Sequence, residues 1–209
     1  MRRHPGLRMN RLQLAAWLSI ITLAAGLRFY AITDAYVWYD EAFSVLISAL
    51  SPRDIWFHTG RDVHPPLYYL LLHVWMEWFG KSPLAIRSLS AIAGTLTVAL
   101  GMFMARSIFN VATALIGGLF LAMLPVAVRL SQEARMYAVE GLFLMGATLA
   151  MVYWMRRPAR YRYGLIYACC MTAALYTHYF AVLVALAHWL YLIALGLHPQ
   201  VREIGRALV

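Results

Sequence analysis

The stretch LYYLLLHVWMEWF, residues 67–79, decides the membrane topology of the chain. It is strongly apolar, yet its 13 residues fall short of the about 20 that a membrane-crossing helix requires. A helix of this length suits a juxtamembrane or re-entrant position. Because every later loop changes side if this helix crosses, the topology depends on it.

The composition indicates an integral membrane protein. Of 209 residues, 63% are hydrophobic and 13% are charged, and the mean hydropathy is +0.65. A soluble domain has about 45–50% apolar and about 25% charged residues. The net charge of +9 comes from basic residues that interrupt long apolar runs rather than forming a stripe. These features exclude a soluble enzyme, a disordered tail and a nucleic-acid-binding module.

Six apolar stretches are long enough to predict an all-α, polytopic bundle of about six transmembrane helices. The first is expected to be an uncleaved signal anchor with a cytoplasmic N-terminus, and the last two come from dividing one long run near Thr177-His178-Tyr179. The predicted spans are residues 12–32, 87–109, 112–129, 137–155 and the two halves of 163–197.

The positive-inside rule favours the topology in which residues 67–79 do not cross. In that topology the inner segments carry Arg2, Arg3, Arg8, Arg11, Arg106, Arg156, Arg157, Arg160, Arg162, Arg202 and Arg206. The outer segments are then residues 33–86, 130–136 and 178–179, and most of the acidic residues lie in the first of them. The sequence thus predicts a cell (inner) membrane protein whose unusual side chains gather on the periplasmic or outer face.

Residues 37–50, VWYDEAFSVLISAL, have the periodicity of a helix lying flat on the membrane. Asp40 and Glu41 share one face with Ser44 and Ser48, and the opposite face is apolar. One reading makes the two carboxylates functional, with one of them acting as a general base. The other makes them solvated acids of an amphipathic surface helix.

His64, followed by Pro65-Pro66, is either a rigidly presented phosphate or carboxylate ligand or a helix-entry residue. Arg129 and Arg135 lie on the outer side against the positive-inside trend, so they are candidates for phosphate binding. The alternative is an internal Glu–Arg salt bridge.

Glu133, Tyr137 and Glu140 would share a face if their helix begins early. His178 is an interfacial anchor or lines a site. Arg28 is expected to snorkel to the outer interface, and His73 and His188 to pack between helices.

Four ordered motifs resemble family 39 glycosyltransferases, the protein-mannosyltransferase-like members of the GT-C class. They are WYDEAF (38–43), DVHPPLYY (62–69), SQEARMY (131–137) and YTHYF (176–180). Within this family, the motifs resemble those of the bacterial RgtA/B/C/D-like branch. The resemblance implies one GT-C-like transmembrane domain over residues 1–209, with juxtamembrane helices and catalytic carboxylates in the outer loop 33–86.

Family members transfer a sugar, here expected to be mannose or a related hexose, from a polyprenyl-phosphate donor to a glycan, lipid or protein acceptor. The motif match places Asp40 at the catalytic acid and Glu41 beside it, with His64 and Arg135 in the other motifs. In the mechanism that this match implies, Asp40 is the general base, and Glu41 orients the acceptor or holds a phosphate-binding arginine such as Arg61. Because family members are longer, the chain is expected to be a fragment. Membrane lipids are expected partners and nucleic acid is not.

The resemblance implies no cofactor. A divalent metal ion bound by the two carboxylates and a histidine is an open alternative. The alternative function is a polytopic transporter or a non-catalytic lipid-binding subunit.

Overall fold

The computed structural model describes residues 9–197, and α-helix is the regular secondary structure of this part of the chain. The basic residues Arg2, Arg3, Arg8, Arg202 and Arg206 lie outside it. The described residues form α1 (Arg11–Phe29), α2 (Tyr39–Ser48), α3 (Pro52–Thr59), α4 (Leu67–Phe79), α5 (Pro83–Ile108), α6 (Val111–Met123), α7 (Pro125–Ser131), α8 (Tyr137–Arg156), α9 (Tyr161–Thr177) and α10 (Ala181–Leu197). The prediction of an all-α membrane protein is confirmed.

Within the described residues, three helices are long and apolar enough to cross a membrane. These are α1, α5 and α8, and the bent pair α6 and α7 makes up to four. The helices α9 and α10 have 17 residues each, so their crossing stays a prediction. The predicted count of six spans is therefore met in full only if these two shorter helices also cross.

The predicted span 112–129 is not one straight helix. It breaks at Leu124-Pro125 into α6 and α7, which meet at a bend of 60°. Pro125 has no backbone N–H to continue the helix, and its ring disfavours helical backbone at the preceding residue. Leu124 accordingly adopts an extended conformation, with φ −61° and ψ 113°.

Arg28 stabilises this break instead of snorkelling to the interface, so that expectation was wrong. Its side chain is buried, and it donates hydrogen bonds to the carbonyl oxygens of Ala122 at 3.2 Å and Leu121 at 3.5 Å. Carbonyl groups at a helix end lack helical partners, so a buried guanidinium is a suitable donor there. Gly94 of α5 faces the same place, where a Cβ would overlap Ser131 Oγ.

The helix α5 lies at the centre of the bundle and contacts α1, α4, α6, α7 and α8, while α8 packs along α9. One hydrophobic core joins α1, α5 and α6. A second core joins α3, α4, α5 and the start of α8. The second core holds the short helices of the first loop at the end of the bundle where α5 and α8 begin.

The helix α4 has the predicted bounds and length. It buries Tyr68, Tyr69, Leu72 and Met76 and leaves Trp78 exposed. Gly80 ends it with a positive φ of 83°, a backbone conformation that favours glycine after a helix.

The two histidines expected to pack between helices do so. His73 Nδ1 lies 2.9 Å from the carbonyl oxygen of Ser48. His188 lies between Thr148 (3.2 Å) and Tyr167 (3.4 Å).

Candidate functional site

The helix α2 presents its polar face to the protein interior. Glu41, Ser44 and Ser48 are fully buried, whereas Tyr39 and Leu46 are largely exposed. Periodicity correctly divided the two faces, but the reading of both carboxylates as solvated surface acids was wrong. The reason is that arginines from two other segments, residues 87 and 135, supply partners for this face.

Glu41 forms a buried ion pair with Arg87. Its Oε2 accepts a hydrogen bond from Arg87 Nη2 at 2.6 Å, and its Oε1 accepts one from Arg87 Nε at 2.8 Å. Oε1 also accepts the backbone N–H of Ala134 at 2.7 Å. Since all these groups are buried, Glu41 ties α2 to α5 and to the loop before α8.

Arg87 also holds the chain between α1 and α2. Its guanidinium donates to the carbonyl oxygens of Ile32 at 2.7 Å, Ala35 at 2.9 Å and Tyr36 at 3.2 Å. The sequence reasoning missed this residue. The test that singled out Arg129 and Arg135, an arginine on the outer side against the positive-inside trend, would have found it at the start of α5.

The suggested pairing of Glu41 with Arg61 was therefore wrong. The Arg61 guanidinium lies over the Phe57 ring, 3.8 Å from its centroid. Such cation–π contacts stabilise exposed side chains modestly, and this one holds the Arg61 side chain against α3 rather than against α2.

Asp40 is the accessible carboxylate of the pair, and Arg135 is its partner. Arg135 Nη2 lies 3.7 Å from Asp40 Oδ2, and Nη1 donates to the Asp40 carbonyl oxygen at 3.2 Å. The Asp40 side chain is 36% exposed and the Arg135 side chain 4%. Two sequence neighbours thus have different surroundings, because successive side chains of a helix point about 100° apart, which turns Glu41 inward and leaves Asp40 at the edge.

His64, Tyr137 and His178 lie next to this pair. The rings of His64 and His178 are 6.1 Å apart, and those of Tyr137 and His178 are 5.8 Å apart. Arg135 lies 5.8 Å from the Tyr137 ring centroid. We call Asp40, Arg135, Tyr137, His64 and His178 the polar cluster.

Carboxylates flank both histidines. Asp62 Oδ2 lies 3.4 Å from His64 Nδ1, and Glu140 Oε2 lies 3.6 Å from His178 Nδ1. Burial lowers the pKa of His178, and the charges of His64 and Arg135 lower it further. In keeping with a neutral ring, His178 Nδ1 accepts the backbone N–H of Phe180 at 3.3 Å.

Arg129 and Glu133 do not join the polar cluster. They form the internal salt bridge left open by the sequence, at 3.3 Å. The helix α8 begins only at Tyr137, so Glu133 lies in the preceding loop. The predicted common helix face of Glu133, Tyr137 and Glu140 was wrong for this reason.

Two cavities flank the first loop. The apolar groove, about 480 Å³, lies between α3, α4 and α9 and is lined by Trp56, Pro66, Leu67, Leu70, Ala168, Cys169, Thr172, Ala173 and Tyr176. Its lining residues Pro66 and Tyr176 are two positions from His64 and His178 in the chain, so the groove lies near the polar cluster.

The second cavity, which we call the loop pocket, is about 290 Å³. It is lined by Ala31, Ile32, Ala35, Tyr36, Trp38, Glu41, Arg87, Arg129, Gln132 and Glu133. In residues 9–197 no three His, Cys, Asp or Glu side chains converge as a metal site.

The fold and the polar cluster together define a class of protein. It is a polytopic helical membrane protein whose polar side chains gather at one end, beside an apolar groove. Residues 63–205, about two thirds of the chain, match the family described as dolichyl-phosphate-mannose-protein mannosyltransferase. The chain belongs to this family of GT-C membrane glycosyltransferases. The match includes His64, Arg135 and His178, and it begins after Asp40 and Glu41. No curated protein and no solved structure matches the chain.

Proposed function

We propose that the protein transfers a hexose, mannose or a related sugar, from a polyprenyl-phosphate donor to an acceptor hydroxyl, with Asp40 as general base. One observation carries this proposal: an apolar groove lies near a cluster of cationic and acidic side chains. A ligand with a hydrocarbon chain and a phosphorylated head matches this arrangement, and the family description names such a donor.

The donor's lipid chain would lie in the apolar groove, where it escapes water. Its phosphate would lie at the end of the groove, against Arg135 and the ring N–H groups of His64 and His178. A guanidinium binds phosphate through a fork of donors, and a charge already fixed in place stabilises the leaving phosphate without reorganisation.

Two buried donors near Asp40 support a polar ligand there. Arg135 Nε and the Tyr69 hydroxyl are buried and have no hydrogen-bond partner among the described residues. Burial raises the pKa of Tyr69 to about 12. The charge of Arg135 lowers this pKa, and those of Asp62 and Asp40 raise it. The hydroxyl therefore remains protonated and able to donate. An unsatisfied buried donor costs about 1–3 kcal/mol, which a bound phosphate or sugar hydroxyl would recover.

The reaction is an inverting displacement. The Asp40 carboxylate takes the proton of the acceptor hydroxyl, and the acceptor oxygen forms a bond to the anomeric carbon of the sugar. The bond from that carbon to the phosphate oxygen breaks, and the electron pair leaves with the polyprenyl phosphate. Glu41 acts by positioning: its ion pair with Arg87 fixes the helix that carries Asp40.

The same proposal includes the orientation of the chain. The polar cluster faces the periplasm or outside of a cell membrane, and the N-terminus is cytoplasmic. This orientation rests on the arginines of the inner segments and on the acidic first loop.

Photo-crosslinking tests the donor site. A polyprenyl phosphate with a photoreactive group on its chain is expected to label the groove-lining residues of α4 and α9. Cys169→Trp fills the groove, and we expect it to weaken labelling about tenfold, or ~1.4 kcal/mol of binding.

The matched control is Leu165→Trp, an exposed position on the same helix outside the groove lining. It should label like the original chain, and unlabelled polyprenyl phosphate should compete better than the neutral polyprenol. Equal labelling of the two tryptophan variants would contradict the donor site.

A further inference from the structure

The loop pocket lies at the same end of the bundle as Asp40 and has a different chemistry from the apolar groove. Its walls come from the segment after α1, the start of α5 and the segment between α7 and α8. Polar and apolar groups line it together, whereas the groove lining is apolar. The loop pocket therefore suits a ligand with both hydroxyl groups and C–H faces.

The segment between α1 and α2 forms one wall of the loop pocket. Hydrogen bonds to its backbone fix this segment, while its aromatic side chains remain exposed. Arg87 restrains the backbone of this loop, because its guanidinium donates hydrogen bonds to the carbonyl oxygens of Ile32, Ala35 and Tyr36. Yet Tyr36 is 96% exposed and Trp38 is 44% exposed. A rigid backbone presenting open aromatic rings supplies a stacking surface at little cost in entropy.

The charges of the loop pocket are balanced. Its two arginines and two glutamates form two ion pairs, Arg87 with Glu41 and Arg129 with Glu133. The first pair is buried, whereas the Arg129 side chain is 79% exposed. An exposed, paired guanidinium and carboxylate offer donors and acceptors without net charge, which favours a neutral ligand rich in hydroxyl groups.

Gln132 closes the pocket on the side of α1. Its amide nitrogen donates to the carbonyl oxygens of Leu27 at 3.1 Å and Tyr30 at 2.8 Å. The segment between α7 and α8 is therefore fixed to the end of α1, so the wall carrying Glu133 is preformed. Preformed sites with a few convergent polar groups are typical of small-ligand binding.

We propose that the loop pocket binds a neutral hexopyranose unit of a glycan acceptor. This inference rests on the proposed sugar transfer and deepens it, because it selects a glycan from the three acceptor classes. The sugar's C–H face packs on Tyr36 and Trp38, whose ring faces carry partial negative charge. Its hydroxyl groups bond to Arg129 and Glu133. Glu41 lines this pocket, and the proposed base Asp40 precedes it on α2, so the pocket and the base share one helix.

The binding test uses the full chain in detergent and maltotriose as a neutral hexopyranose probe, followed by ligand-observed NMR titration. We expect Tyr36→Ala to weaken maltotriose binding about tenfold and Tyr36→Phe to retain it. Glu133→Gln should weaken binding without removing the aromatic surface. Because Tyr36 is almost fully exposed, its substitution leaves packing intact.

The matched control is Tyr30→Ala, which changes an exposed aromatic residue (77%) at the end of α1 that does not line the pocket. Tyr30→Ala should bind maltotriose like the original chain. Equal weakening by Tyr30→Ala and Tyr36→Ala would show general interfacial anchoring and overturn the proposal. So would unchanged binding in Tyr36→Ala, or no maltotriose binding by the original chain.

The activity test separates this inference from the proposed function. With a glycan acceptor, Tyr36→Ala should raise the acceptor KM about tenfold and leave kcat and the donor KM unchanged. If the original chain transfers sugar and this variant keeps its acceptor KM, the acceptor site is wrong and the transfer stands. If the original chain transfers no sugar, the proposed function fails, and the titration still decides whether the pocket binds a sugar.

Discussion

Replacing Asp40 with asparagine is expected to lower kcat for sugar transfer by about 10²–10⁴-fold, the usual contribution of a general base. Asparagine has nearly the same shape and cannot take the acceptor proton. The Asp40 backbone carbonyl still accepts from Arg135, so the helix keeps its place. The measurement is the rate of hexose transfer from a polyprenyl-phosphate donor by the purified variant.

The stability of the Asp40→Asn variant should barely change. The lost ion pair is 3.7 Å long and its carboxylate is about one third exposed. The buried Arg135 keeps its hydrogen bonds to the Asp40 carbonyl oxygen and to Ser44 Oγ, so we expect a loss of about 1 kcal/mol, the upper end for pairs that are open to solvent. Asp34→Asn is the matched control, because it removes an exposed carboxylate from the same loop. It should transfer normally. Near-normal turnover by Asp40→Asn would eliminate Asp40 as the base.

Replacing Arg87 with methionine is expected to lower the free energy of unfolding by about 3–5 kcal/mol, the effect of breaking a buried ion pair. The variant leaves Glu41 charged in a fully buried position and three loop carbonyls without their donor. The measurement is thermal or denaturant unfolding of the detergent-solubilised chain, followed by circular dichroism.

Arg129→Met is the control for this stability effect. It also breaks an arginine–glutamate pair, but Arg129 is largely exposed, so the loss should stay below about 1 kcal/mol. Equal destabilisation by the two variants would mean that the Glu41–Arg87 pair does not anchor the first loop. The activity of Arg87→Met should also fall, because the helix carrying Asp40 loses its attachment to α5.

The sequence predicted the elements that depend on local pattern. Apolar length indicated the long helices and the short α4, and periodicity placed Asp40 and Glu41 together on one face of α2. The ordered motifs also brought Asp40, His64, Arg135 and His178 together. The structure places these four in one cluster, with Arg135 in direct contact with Asp40.

What the sequence left undetermined depends on partners far along the chain. Periodicity separates the faces of α2 but does not say which face is buried. That choice is made by Arg87, 46 residues after Glu41. The bend at Pro125 is local in origin, yet its buried donor, Arg28, comes from α1. From apolar content alone, residues 112–129 are predicted to form one straight span, because a hydropathy scale does not take into account that Pro125 lacks a backbone N–H.

Sugar transfer is tested most directly by measuring both products of the reaction in sealed vesicles that contain the purified chain. With a polyprenyl-phosphate-linked hexose and a glycan acceptor, we expect a covalent glycoside of inverted anomeric configuration and an equal amount of released polyprenyl phosphate. Asp40→Asn vesicles should yield neither product above background. Movement of the sugar lipid across the membrane with no glycoside formed would rule out sugar transfer and indicate a transporter.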